Sequence, residues 1–213
     1  MLKQIILVFL IAINWSFSQI ISEPNLPPIE SFQDGEWFQL RLHYGPFNAS
    51  YASFSLESDS LNNKAVFHAK GFGETTGIAK WFFKVEDYYE SYFDQKTGLP
   101  YKFVRDINEG GYTKNVEIDF DHDEATAFVH DKKRNEINEF SIEYGVQDLI
   151  SSFYFLRKFY PKKGVKVNES FDINMFFDNE NYVFKLKHLG SETIRSKFGK
   201  IRWCLYCPNS RFC

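Results

Sequence analysis

Cysteine is missing from the first 203 residues and then occurs three times in the last ten, as Cys204, Cys207 and Cys213. This distribution gives an upstream cysteine nucleophile no support, and the Cys204-x-x-Cys207 pair reads as a disulfide, a redox pair or half a metal site, with one cysteine left over and no second pair. Charge of one sign is also lacking: 25 Lys and Arg stand against 28 Asp and Glu, for a net charge of −3. Without a basic excess to neutralise phosphates, nucleic acid is not an expected partner. Residues 5–13 form an apolar run that falls short of the roughly 18 residues a membrane helix needs, and no later stretch reaches that length. There is no G-x-S-x-G elbow, no phosphate loop ending in Lys-Ser/Thr, and no H-x-x-x-H or H-x-H pair. Serine-hydrolase, phosphate-loop and helical zinc chemistry therefore have no support in the sequence.

What the chain has in plenty is aromatic side chains, with 24 Phe and 12 Tyr and an aromatic share of 19%. Flat rings suit pleated sheets and dominate core burial, so a large aromatic core is expected. At the start, Lys3 precedes the apolar run 5–13, and Ser16 and Ser18 stand at the −3 and −1 positions of a cleavage site. Residues 1–18 thus read as a signal peptide cleaved near Ser18, and the product as periplasmic or extracellular with no transmembrane helix in the mature chain. Residues 19–34 are Pro-rich and aperiodic, a linker or extended lead-in.

Strand patterning begins at residue 35. Phe38, Leu40, Leu42 and Tyr44 alternate with Trp37, Gln39, Arg41 and His43, and return strands carry Ala52, Phe54 and Leu56, then Ala65, Phe67 and Ala69. Residues 71–77 read as a Gly-rich connection at a strand end, and residues 78–84 as a single helical turn. Asn108-Glu109-Gly110-Gly111 marks a hairpin, and Val116, Ile118 and Phe120 share one face of the strand that follows. Strand patterns resume at Phe171, Ile173, Met175 and Phe177. Between these groups lies one long helical pattern, residues 147–160, with Leu149, Ile150, Phe153, Leu156 and Phe159 at helical spacing and Gln147, Asp148 and Ser151 as caps or early-turn polar groups. The predicted fold is mainly β: a curved, half-barrel-like antiparallel meander of roughly 11–12 strands wrapped on one central α-helix. Residues 35–202 form a single domain in this reading.

Four groups of side chains invite chemistry. Asp119, Asp121, Asp123 and Glu124 with His122 have hard-cation composition but lack the spacing of a calcium loop, so a solvated hairpin tip is the plainer reading. Glu86, Asp87 and Glu90, beside Tyr88, Tyr89 and Tyr92, would form an acid/base pair only if two carboxylates faced each other across a substrate. Gly71-Phe72-Gly73 fits no nucleotide-loop spacing, and His43, His68, His122, His130 and His188 are scattered over strands. No catalytic residue, metal ligand or cofactor is assigned.

The order of several short motifs resembles a family of bacterial envelope proteins, the domain-of-unknown-function 3108 family. Carrying the resemblance are Tyr44-Gly45, Thr76-Gly77, Trp81-Phe82-Phe83-Lys84-Val85, Tyr89-Glu90-Ser91-Tyr92, Leu99-Pro100, Phe103-Val104-Arg105-Asp106 and Glu109-Gly110-Gly111-Tyr112. Gln147-Asp148-Leu149, Ser151-Ser152-Phe153-Tyr154 and Phe176-Phe177-Asp178 extend it, so it covers about residues 35–201. It implies an exported, mostly β protein and brings no activity with it. Residues 203–213 depart from the pattern and read as a truncated or frameshifted tail. The leading expectation is a non-enzymatic envelope protein that binds a lipid or other apolar ligand on the aromatic inner face of the half-barrel, in outline like bacterial lipoprotein carriers. The alternative is a structural or protein-interaction module without a small-molecule ligand, and a polysaccharide-active enzyme stands third.

Overall fold

Period-two alternation broken by tight turns leaves the chain few options other than a meander, and a meander is what forms. The computed structural model describes residues 31–44, 47–159, 166–196 and 199–208. In chain order the elements are β1 (Glu36–Tyr44), β2 (Phe47–Leu61), β3 (Lys64–Thr75), α1 (Gly77–Phe82), β4 (Val85–Asp94), β5 (Pro100–Glu109), β6 (Tyr112–Asp121), β7 (Thr126–Asp131) and β8 (Glu136–Ser141). They are followed by α2 (Leu149–Phe159), β9 (Ser170–Phe177), β10 (Glu180–Ser196) and β11 (Gly199–Pro208). Strands β1 to β8 pair in sequence order in one antiparallel eight-stranded sheet, and β9 to β11 form a second, three-stranded one. The mainly β, antiparallel architecture expected from the sequence is therefore present, divided between two sheets. Two-residue turns make the sharpest reversals: Asn62-Asn63, Gly110-Gly111 and Asp178-Asn179 all have positive φ, the conformation that hairpin twist requires.

The inner face of the larger sheet is covered by α2 and β9. Phe93, Phe103, Val116, Ile118, Phe120, Ala127 and Val129 supply its buried surface, and Ile150, Tyr154 and Phe176 close over it. Helix α2 is shorter at its start than the pattern over 147–160 suggests. The Gln147 backbone is extended, donating to Asn174 O at 2.8 Å and accepting from Phe176 N at 2.9 Å, which stitches the helix entry to β9. Asp148 then caps the helix: its Oδ1 accepts from Ile150 N at 2.8 Å and Ser151 N at 2.7 Å, while Ser151 Oγ accepts from Asp148 N at 2.9 Å. Its other oxygen accepts the Ser91 hydroxyl at 2.6 Å. That buried bond pins the first turn onto β4 and sets the rotation of the helix.

The rotation differs from the expected apolar face. Ile150 and Tyr154 point inward with Ser151, Phe153 is half-buried, and Leu149 is 38% exposed. Periodicity weighs Leu149 and Ile150 alike, but the Asp148–Ser91 bond decides which of them meets the sheet. Phe159 has its side chain outside the described residues, and so does all of Tyr160.

Further expectations change. Gly71 and Gly73 lie inside β3 rather than in a connection at its end. A Cβ at Gly71 would stand 3.0 Å from Ile150 Cδ1, so glycine is what lets the helix approach the strand. Phe32, within the stretch read as a lead-in, is buried in the core with its ring edge-on to Tyr154 at 5.0 Å and Phe67 at 5.6 Å, so the folded unit starts before residue 35. Leu40 and Leu42 on β1 are exposed, because α2 packs on β3 and β4 and reaches neither. Strand β11 runs through residues 203–208, paired with β10 from Glu192↔Trp203 to Leu186↔Pro208.

Candidate functional site

On the outer face of the larger sheet, four strands place their outward side chains in two adjacent rows. One row is Trp37, Ser55, Lys70 and Glu90, and the next holds Ser53, Phe72 and Tyr88. Because alternate residues of a strand share a face, this register gathers side chains that are far apart in sequence. Between them lies an open groove of about 200 Å³, lined mainly by these seven residues. Trp37 forms one wall, 64% exposed. The opposite wall is Phe72 against Tyr88, ring centroids 4.5 Å apart. Ser53 and Ser55 lie between the walls, on β2.

The end of the groove is charged and tightly held. Lys70 Nζ donates to Glu57 Oε2 at 3.2 Å. Glu90 Oε2 lies 2.7 Å from His68 Nε2 and accepts the Tyr92 hydroxyl at 3.1 Å. The His68 ring stacks on Tyr92 with centroids 4.0 Å apart, and its Nδ1 is 3.7 Å from Asp59. Burial, aided by the Glu90 carboxylate, pushes the Tyr92 hydroxyl up to about 12, so it remains a proton donor. Both donors use Oε2, which leaves Glu90 Oε1 for a hydroxyl in the groove. Aromatic walls, two hydroxyls and one oriented carboxylate give the groove the chemistry that suits a flat ring with polar edges.

The carboxylates considered together from the sequence are separated by the pleat. Glu90 lines the groove, and Glu86 sits near α1, 2.7 Å from Lys84 Nζ and 3.3 Å from Lys80 Nζ. Asp87 faces the other side, buried, and accepts from Asn108 N at 3.1 Å. Burial and the adjoining Asp87 carboxylate raise the pKa of Glu109. Strand β4 thus sends Glu86 and Glu90 one way and Asp87 the other, and no two of the three face each other across the groove.

At the β6–β7 turn, Asp121 Oδ1 accepts from the backbone N–H groups of Asp123 and Glu124, each at 3.0 Å. The acidic cluster is a turn held by its own side chain. His122 Nε2 lies 2.8 Å from Pro100 O, and burial lowers its pKa. Among the described residues no three His, Cys, Asp or Glu side chains come together as metal ligands. Cys204 and Cys207 lie on β11 with their side chains outside the described residues, as is all of Cys213. The groove itself escaped sequence reasoning, because it depends on the register of four strands. The signal that was present is Trp37, a large aromatic at a wet position of an alternating strand.

The inner aromatics expected to line a ligand site are packed against one another: Phe93, Phe103, Tyr154 and Phe176 are each at most 1% exposed. Fold and site together define a class: an open antiparallel meander plugged by one helix, with a shallow aromatic groove on its outer face. The chain belongs to the family described as "Protein of unknown function (DUF3108)", whose profile matches residues 39–210. No curated protein matches it in sequence. Among solved structures it is similar to a β-barrel-like protein of domain of unknown function DUF1849 from Brucella abortus, with 10% identity over 82% of this chain and 78% of that one and a TM-score of 0.45. A DUF1089 family protein from Pseudomonas aeruginosa is similar at 10% identity over 78% of this chain and 90% of that one, with a TM-score of 0.41.

Proposed function

We propose that this protein is an exported, non-catalytic binding module whose outer-face groove holds one saccharide ring of an envelope or extracellular glycan. The observation that carries the reading is the groove itself: Trp37 facing the Phe72–Tyr88 pair, with Ser53, Ser55 and Glu90 between. A pyranose ring has an apolar face that stacks on aromatic rings and an equatorial rim of hydroxyls that bond to serine and carboxylate oxygens. The volume suits one ring, being below the roughly 300–1,000 Å³ of pockets that enclose a drug-sized ligand. A polysaccharide-cleaving enzyme needs two carboxylates across the bond, whereas Glu90 is the one carboxylate among the lining residues. A lipid on the inner face is less favoured, since the rings that would line its site fill the core. Export rests on the leader pattern at Lys3, residues 5–13, Ser16 and Ser18.

The test is isothermal titration of the purified chain with soluble peptidoglycan fragments, chitooligosaccharides and lipopolysaccharide-derived oligosaccharides. Binding to at least one of them is expected, and Trp37→Ala with Tyr88→Ala should weaken it by about tenfold or more, the least that losing two partly buried rings implies. Absence of binding to all three, or binding unaffected by the double substitution, overturns the proposal.

A further inference from the structure

Helix α1 is unusual in what it displays. It is six residues long and buries none of them. Trp81 is 91% exposed and Phe82 85%, with Ile78 and Phe83 more than half exposed beside them. Single exposed apolar residues are ordinary, but four within six positions form a patch that calls for a partner.

The patch is held out rather than left loose. Thr76 N donates to Ala49 O at 2.9 Å, and Gly110 N donates to Lys84 O at 2.7 Å, tying both ends of the segment to neighbouring hairpins. The Thr75 hydroxyl donates to Phe83 O at 3.0 Å and accepts from Val85 N at 2.9 Å. Phe83 lies over Gly110, where any Cβ would run into its ring. Five backbone and hydroxyl groups thus fix a segment whose side chains touch little.

Position in the meander gives the patch a direction. The β1–β2, β3–β4, β5–β6 and β7–β8 connections all lie at one end of the sheet. Exposed Leu42 and Tyr112 belong to that end, and so does the basic turn Lys132-Lys133-Arg134. Lys80 and Lys84 flank Trp81 and Phe82 and share a single carboxylate, Glu86. The opposite end carries Asp59, Asp94, Asp121, Asp123 and Glu124 against Lys64 and Lys96. The α1 end also holds Glu74, Glu86, Glu109, Asp131 and Glu136, so its charges balance, whereas the opposite end is net acidic. An anionic surface therefore repels the opposite end and leaves the α1 end free to approach.

We propose that the α1 end seats on the interface of an anionic lipid bilayer, with Trp81 and Phe82 inserted at headgroup depth. A protruding tip of Trp and Phe flanked by Lys is the composition of interfacial anchors. The seat is shallow, because α1 is far too short to span the hydrocarbon. This inference is independent of the groove, which lies on the outer face midway along the strands.

The test is flotation of the exported chain, after leader removal, with large unilamellar vesicles of phosphatidylethanolamine and phosphatidylglycerol. Wild-type protein should float with the vesicles. Trp81→Ser and Phe82→Ser should each weaken partitioning by about tenfold, the effect of removing one inserted side chain. The double variant should unfold at the wild-type temperature, since neither residue is buried in the fold. Trp37→Ala should float as wild type does, which keeps this test separate from that of the groove. The proposal is overturned if wild-type protein stays at the bottom of the gradient. It is equally overturned if the double variant still floats, or if the double substitution removes a crosslinked protein partner and leaves vesicle binding unchanged.

Discussion

The two faces of the eight-stranded sheet are built by the same strands and differ in almost everything else. On the inner face Phe67, Phe93, Phe120, Phe140 and Tyr154 interlock with Phe32 and Phe176. On the outer face polar and charged side chains pair across strands, as in Lys70–Glu57, His68–Glu90 and Lys132–Glu117. Aromatic residues occur on both, but those inside are consumed by packing, whereas Trp37, Phe72 and Tyr88 outside have no helix above them among the described residues. The abundance of Phe and Tyr thus has two meanings in one molecule. The covered face explains stability, and the uncovered one is where a ligand has room.

This contrast can be broken most forcefully at Tyr154. Tyr154→Ala should cost about 3–5 kcal/mol in urea unfolding, the usual loss for a fully buried ring, whereas half-buried Phe153→Ala should cost less. Equal losses would mean that the helix face has been assigned wrongly.

Next in size is the buried carboxylate. Burial pushes the Asp148 pKa up to about 6 from 3.8, against the opposing hydrogen bonds from Ser91, Ser151 and Ile150. The folded chain then keeps a proton that the unfolded chain has released, so acidification from about pH 6 towards 4 favours folding. The gain reaches about 3 kcal/mol at most, at roughly 1.4 kcal/mol per pKa unit. Asp148→Asn preserves the capping acceptor and should flatten this pH dependence, as read from unfolding curves at pH 4.5 and 7. Wild-type stability that rises with pH across that window would show the carboxylate to be ionised throughout.

Gly71→Ala should cost about 1–3 kcal/mol by pushing Ile150 off the sheet. Pairing it with Ile150→Val should recover part of the loss. The smallest effect belongs to the outer face: Trp37→Ala should change stability by about 0.5 kcal/mol or less while weakening the glycan binding proposed for the groove. A large loss of stability there would turn the groove into a second core.

Much of the strand order could be read locally. Alternation at Phe38 to His43, the turn pair Asn62-Asn63 and the Gly110-Gly111 hairpin each specify their geometry within a few residues. The capping role of Asp148 was legible for the same reason. The rotation of α2, by contrast, depends on Ser91 and Gly71, which lie 57 and 79 positions from the residues they meet, Asp148 and Ile150. The groove was illegible because neither Trp37 nor Tyr88 carries a sign of the other until β2 and β3 are aligned between them.

By itself, then, the sequence determined the antiparallel meander, the single long helix with its cap and the aromatic wealth of the chain, since each rests on interactions within a turn or a hairpin. Tertiary structure decided which helix face is buried, that Phe32 joins the core, that β3 continues through Gly71 and Gly73, and that Glu90 parts from Asp87 to join Trp37 and Tyr88. Those outcomes hang on the register between strands and on where a glycine allows close approach, and both are settled only when distant segments meet.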